Sequence, residues 1–194
     1  MDFIRKYLSE VADIANLIDT EKIASLIEEL VKIKSNNGRL FILGVGGSAG
    51  NASHAVNDFR KLAGIEAYAP TDNVSELTAR TNDEGWETVF IEYLRVSKLN
   101  SSDGILILSV GGGDTEKRVS VNLCNAIDYA NKQKAKTFGI VGRESGYTNL
   151  NADVCLLIPN VNHSHLTQHS EAYQAVIWHL LVSHPTLKEN STKW

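Results

Sequence analysis

Five short apolar runs, at 40–45, 66–69, 104–110, 136–141 and 153–158, are separated by stretches long enough for helices at roughly 48–63, 73–97 and 115–133. That alternation constrains the fold more than any other feature of the chain. Antiparallel strands can be joined by two-residue turns, whereas parallel strands need a crossover of a dozen or more residues, usually a helix. The spacing therefore predicts an α/β fold on a five-stranded parallel sheet, doubly wound and flanked by helices. Residues 2–36 carry helical periodicity instead, with Ile4, Leu8, Val11, Ile14 and Leu17 on one stripe and Ile23, Leu26, Ile27, Leu30 and Ile33 on another. A break near Asp19-Thr20 makes them an N-terminal helical hairpin. A last helix over 166–183 is stopped by Pro185, and the tail from Lys188 to Trp194 is expected to fray. The expected organisation is one domain over 1–194, with packing helices at 1–36, a core at 38–184 and a tail at 185–194.

In an open parallel sheet, ligands bind beyond the carboxyl ends of the strands. Four loops stand there. Gly44-Val45-Gly46-Gly47-Ser48-Ala49-Gly50 follows the run Leu40–Leu43 and leads into a helix, whose free N–H groups and dipole favour an anion. Just behind it, His54 and Asp58 sit at i and i+4 on one face. Ser109-Val110-Gly111-Gly112-Gly113-Asp114 is expected to open a second helix in the same way, with Asp114 as its N-cap. Gly142-Arg143-Glu144-Ser145-Gly146 and the polar stretch 160–164 complete the rim. Gly44-x-Gly46-x-x-Ala49 nearly fits a dinucleotide fingerprint. It fits poorly downstream: the second strand should end on a ribose-binding acid, but that run closes on Pro70-Thr71 and the nearest acid is Asp72 beyond them.

Of six histidines, only His54 lies outside the last 32 residues. Glu171 and His179, eight residues apart on the last helix, can face one pocket with some angular drift. With His54 and Asp58 they make a set of two imidazoles and two carboxylates, suited to zinc or another divalent transition ion. Spacing alone leaves a second reading open, in which His179 packs beside Trp178 and Glu171 is solvated. A net charge of −4 and a pI near 5.9 argue against nucleic acid as a main ligand. No apolar stretch approaches the ~18 residues of a membrane span, and the first residues lack a signal core, so a cytoplasmic chain is expected. Cys124 and Cys155 are too few and too scattered for a disulfide framework or a thiolate site and read as small buried apolar groups.

The ordered set Gly44–Ser48, His54 and Asp58, Asn82-Asp83, the Ser109 turn, Gly142-Arg143, Ala152-Asp153 and Glu171 with His179 resembles the sugar isomerase (SIS) domain. Within it, the chain looks most like the phosphoheptose isomerases, over nearly its whole length to about His184. The resemblance implies a flavodoxin-like three-layer sandwich, a homotetramer packed through the N-terminal helices, a zinc ion and a sugar phosphate substrate. It implies interconversion of sedoheptulose 7-phosphate and D-glycero-D-manno-heptose 7-phosphate through an enediol, with Asp58 as base and His179 as acid. The ion would rest on His54, Asp58, Glu171 and His179. Substrate contacts would come from Gly46, Gly47, Ser48, Asn82, Asp83, Ser109, Gly111, Gly112, Gly113 and Asp114.

The departures from the family pattern matter as much. Asp58 stands where the family has a longer Glu, Glu171 where it has Gln, and Val45 where it has Asn. The shortened base leaves bound water or Glu171 as an alternative base. The family phosphate turn Ser-Thr-Ser-Gly-x-Ser has lost three hydroxyls here and gained the carboxylate of Asp114, which repels an anion unless it is turned away or neutralised. A non-catalytic SIS module that senses a sugar phosphate or a protein partner is the competing reading.

Overall fold

The computed structural model describes residues 2–192. Two helices lead, α1 (Asp2–Leu17) and α2 (Thr20–Ser35). They part at Asp19, whose carboxylate accepts from the N–H groups of Glu21 and Lys22 at 3.0 Å and so caps α2. The alternating part follows: β1 (Arg39–Gly44), α3 (Gly47–Lys61), β2 (Glu66–Tyr68), α4 (Val74–Asp83), α5 (Val89–Val96), β3 (Gly104–Ser109), α6 (Val121–Gln133), β4 (Lys136–Val141), α7 (Tyr147–Asn151), β5 (Val154–Leu157) and α8 (Leu166–Ser183). All strand pairs are parallel, in the order β2-β1-β3-β4-β5. That is the flavodoxin-like order, with its switch point between β1 and β3.

Strand side chains alternate between the two faces of a sheet, and both faces are covered here. Leu40 and Ile42 of β1 join Leu106, Leu108, Phe138, Ile140 and Leu156 in one core beneath α2, α3 and α8. Phe41 and Leu43, with Ile105 and Ile107, join the other core beneath α5 and α6. Each fully buried Leu, Ile or Phe of this kind contributes about 1.5–3 kcal/mol. Among the described residues, no helix is long and apolar enough to cross a membrane.

Four expectations are corrected. The segment 73–97 holds two helices, because Gly85 takes φ +95° and a 3-10 turn at Trp86–Thr88 re-aims the chain into α5. The turn after β3 does not open a helix directly: Asp114 and Val119 first exchange N–H···O bonds of 2.8 and 2.9 Å, and α6 starts only at Val121. A short helix, α7, fills the loop after β4. The tail is docked at least to Asn190: Leu187 is fully buried, and the N–H groups of Glu189 and Asn190 donate to the Leu62 carbonyl at 2.8 and 3.1 Å. Lys193 and Trp194 lie outside the described residues.

Candidate active site

Strand register brings the rim loops together. Gly44 pairs with Leu108 and Ser109 with Val141, and the Gly142 N–H donates to the Val110 carbonyl at 3.0 Å. The three glycine turns after β1, β3 and β4 therefore run side by side along one edge. Helix α3 starts on the first of them, with Gly46 as N-cap at φ +64°. It packs against α8, where Asn51 donates to the Glu171 carbonyl at 2.9 Å and to the Gln174 amide oxygen at 2.8 Å. Those bonds fix how the two helices slide past one another.

The consequence is a cluster of His54, Asp58 and His179. Asp58 Oδ2 lies 3.5 Å from His54 Nε2 and 3.3 Å from His179 Nε2. Trp178 Nε1 donates to the same oxygen at 3.2 Å, and Asn57 Nδ2 donates to Oδ1 at 3.0 Å. The carboxylate is buried at 7% exposure, whereas the side chains of His54 and His179 are 57% and 51% exposed. One donor atom from each of the three residues lies within 4.8 Å of the other two. Two imidazoles and a carboxylate with an open side facing solvent suit a divalent ion that keeps a position for a ligand.

Glu171 is not in that cluster. Its carboxylate lies over Gly47, where a Cβ would stand 2.6 Å from both carboxylate oxygens. Eight helical residues rise about 12 Å, so Glu171 sits at the head of α3 and His179 two turns further down. A carboxylate there faces the positive end of the α3 dipole. Of the four ligands expected from the sequence, three converge and the fourth occupies the glycine turn.

The remaining expected contacts are spread along the rim. Ser48 and Ser109 are buried, and Ser109 Oγ accepts from the Gly112 N–H at 3.0 Å, closing its own turn. Gly111, Gly112 and Gly113 form that turn, the last two at φ +74° and +86°. Asp114 does not cap a helix. Its Oδ1 accepts from the Lys117 N–H at 2.9 Å, and Oδ2 lies 3.4 Å from Lys117 Nζ. The Lys117 N–H, with the ammonium beside it, lowers the Asp114 pKa. Asn82 and Asp83 lie exposed at the end of α4, bonded to each other at 2.7 Å and to no other expected site residue.

Two features were not read from the sequence. Trp178 is the hydrogen-bond donor that fixes Asp58, a role its position in an apolar stripe hides. A second histidine–carboxylate cluster ties α1 to the start of α8: Glu10 Oε2 lies 2.7 Å from His165 Nδ1 and 2.9 Å from His169 Nε2, while Asn162 donates to Oε1 at 2.7 Å. Hydrogen bonds from His169, then His165 and Asn162, hold the Glu10 carboxyl down to about 2. The i, i+4 spacing of His165 and His169 was visible; their partner on α1 was not.

No family model matches the chain. The fold is that of the phosphoheptose isomerase of Neisseria gonorrhoeae, with a TM-score of 0.80 over 93% of this chain and 95% of that one at 23% identity. Among curated proteins, the phosphoheptose isomerase of Syntrophotalea carbinolica is 27% identical over 185 residues, covering 91% of this chain and 89% of the relative. That of Aliarcobacter butzleri is 31% identical over 168 residues, 81% of this chain and 83% of the relative. With sequence likeness over four fifths of both chains, and the same fold, the chain belongs to the phosphoheptose isomerase family of sugar isomerase domains.

Proposed function

We propose that this chain is an aldose–ketose isomerase that interconverts sedoheptulose 7-phosphate and D-glycero-D-manno-heptose 7-phosphate. The observation that carries the reading is the convergence of His54, Asp58 and His179 on a solvent-facing spot behind the glycine turn, in a chain of this family. Isomerisation moves one proton between neighbouring carbons and another between their oxygens, by way of an enediol. A divalent ion, zinc in our reading, would rest on His54, Asp58 and His179 and supply Lewis acidity that polarises the carbonyl.

The protein side of the mechanism is divided among three groups. Asp58 holds both imidazoles in place, with one oxygen committed to Trp178 and the other to Asn57. At 7% exposure it has little surface with which to meet a substrate carbon. Glu171 is only half-buried, so we assign the carbon-bound proton to a Glu171 carboxylate oxygen. The two departures from the family pattern then belong together: the carboxylate shortened at position 58 is replaced by one gained at position 171. Two roles compete for His179, ligand through Nε2 and proton donor to the sugar oxygens, and metal content separates them.

The proposal extends to assembly and location. A homotetramer is supported by the outward apolar face of α1, where Phe3, Ile4, Leu8 and Leu17 are 59–65% exposed. A cytoplasmic location is in keeping with two buried, unpaired cysteines. The competing reading, a non-catalytic sensor, draws on the three hydroxyls missing from the turn after β3.

Turnover of sedoheptulose 7-phosphate, followed by exchange of the migrating hydrogen in deuterated water, tests the assignment. Glu171→Gln should lose about 10²–10⁴ in rate and exchange while keeping its metal, the usual worth of a general base. Full turnover in Glu171→Gln would return the base to Asp58.

A further inference from the structure

The turn after β3 keeps Ser109 but lacks three hydroxyls of the family pattern, and the same rim carries two cations. Gly111, Gly113, Asp114, Lys117, Arg143 and Ser145 line a cavity of about 330 Å³ between the β3 and β4 loops. The lost hydroxyls fall on Val110, Gly111 and Asp114; Gly111 has open space at its Cβ, whereas the next two positions are held as glycine. A Cβ on Gly113 would lie 2.6 Å from Cys124 Sγ, and Gly112 and Gly113 both take left-handed backbone that side chains rarely adopt. With Ser109 Oγ engaged by the Gly112 N–H at 3.0 Å, the turn itself offers an anion chiefly backbone N–H groups, and charged side chains around the cavity can add to them.

Lys117, further along the same loop, and Arg143, on the β4 loop, supply them. The Asp114–Val119 pair of hydrogen bonds, at 2.8 and 2.9 Å, holds the loop that carries Lys117. Asp114 is already met by that lysine, through its N–H at 2.9 Å and its ammonium at 3.4 Å. Arg143 is exposed and, among the described residues, makes no ion pair or side-chain hydrogen bond. Two cations against one carboxylate leave the cavity with a net positive charge, at the end of the sheet where ligands bind.

We infer that Lys117 and Arg143 are the groups that read the substrate's phosphate, in place of the missing hydroxyls. The ligand class is a phosphomonoester dianion, held by a guanidinium fork and an ammonium over the Gly111–Gly113 turn. This rests on the isomerase reading, since it names the anion subsite of that pocket.

Steady-state turnover of sedoheptulose 7-phosphate by Lys117→Ala, Arg143→Ala, Lys117→Arg and Asp114→Asn tests it, alongside calorimetric titration of each protein with inorganic phosphate. The alanine variants should raise KM and weaken phosphate binding by about ten- to a hundredfold, the worth of a hydrogen bond to a charged group, with kcat within about threefold. Lys117→Arg should restore binding. Asp114→Asn, which keeps the acceptor for the Lys117 N–H and removes the repelling charge, should bind phosphate more tightly. Unchanged KM and phosphate affinity in both alanine variants would overturn the inference. So would an Asp114→Asn variant as weak as Lys117→Ala, because that pattern marks a loop strut. If the wild-type protein does not turn over the sugar, the isomerase reading fails, and the phosphate titration still decides the subsite.

Discussion

Two histidine–carboxylate clusters of the same composition lie at opposite ends of α8, and they are built for different ends. In the Glu10 cluster, the carboxylate takes short bonds from two imidazoles and an amide, and Glu10 and His169 are 6% and 3% exposed. The carboxylate's bonds are all made within the protein, although His169 Nδ1 is buried without a partner, and the cluster fastens α1, which otherwise buries only Ile14. In the Asp58 cluster the carboxylate is buried and both imidazoles are half in water, with contacts of 3.3 and 3.5 Å that leave room between the donors. Residue type alone does not separate a clamp from a reaction site. What separates them is whether the polar groups are satisfied within the protein or left facing a place that a ligand can enter.

That contrast is broken most directly by removing its centre. Asp58→Ala should lower turnover by about 10²–10⁴, as loss of a ligand and of the imidazole anchor together, and should empty the metal site; coupled assay and elemental analysis of the same preparation check both. His179→Ala should fall nearly as far, with the fold intact by circular dichroism, since its side chain is half exposed. A smaller effect is expected one layer back. Trp178→Phe keeps an aromatic ring, deletes the donor to Asp58 and leaves a cavity where the indole was buried, so it should cost about 1–3 kcal/mol of stability and a modest fraction of kcat, read from chemical denaturation and steady-state kinetics.

The clamp should respond to pH and leave chemistry alone. The Glu10 carboxyl sits at about 2 when folded, against 4.5 when free. A depressed folded value stabilises fully above 4.5 and is lost as pH falls from there towards 2. Acid unfolding of Glu10→Gln should lack this component, while turnover of the folded variant near neutrality matches wild type. A Glu10→Gln variant that folds but loses turnover would erase the distinction between the clusters.

Much of this was legible in the sequence because period and length are local properties. Strand runs of four to seven residues and the 3.6-residue stripes of α1 and α2 are written in order along the chain, and the flavodoxin-like order follows from the family they signal. The breaks were less visible. Gly85 adopts a positive φ that splits 73–97, and the Asp114–Val119 bridge delays α6, because a short turn can outcompete helix propensity without a pattern of its own. In the site, His54 and Asp58 were readable from i, i+4 spacing, and His179 from its family position. Glu171 was misplaced for a geometric reason: eight residues of helix rise about 12 Å, more than one ion spans. The Trp178–Asp58 and Glu10–His169 contacts join residues 120 and 159 apart, and no local pattern records such pairs.

The most direct test of the central claim, that the open cluster is the reaction site, is the metal content of protein purified without chelator together with turnover of sedoheptulose 7-phosphate before and after metal removal. The account predicts close to one divalent ion per chain, turnover that disappears with the ion and returns with it, and neither in the Asp58→Ala variant. Turnover that survives complete removal of metal, or a protein that binds the ion at this cluster and leaves the sugar untouched, would contradict it.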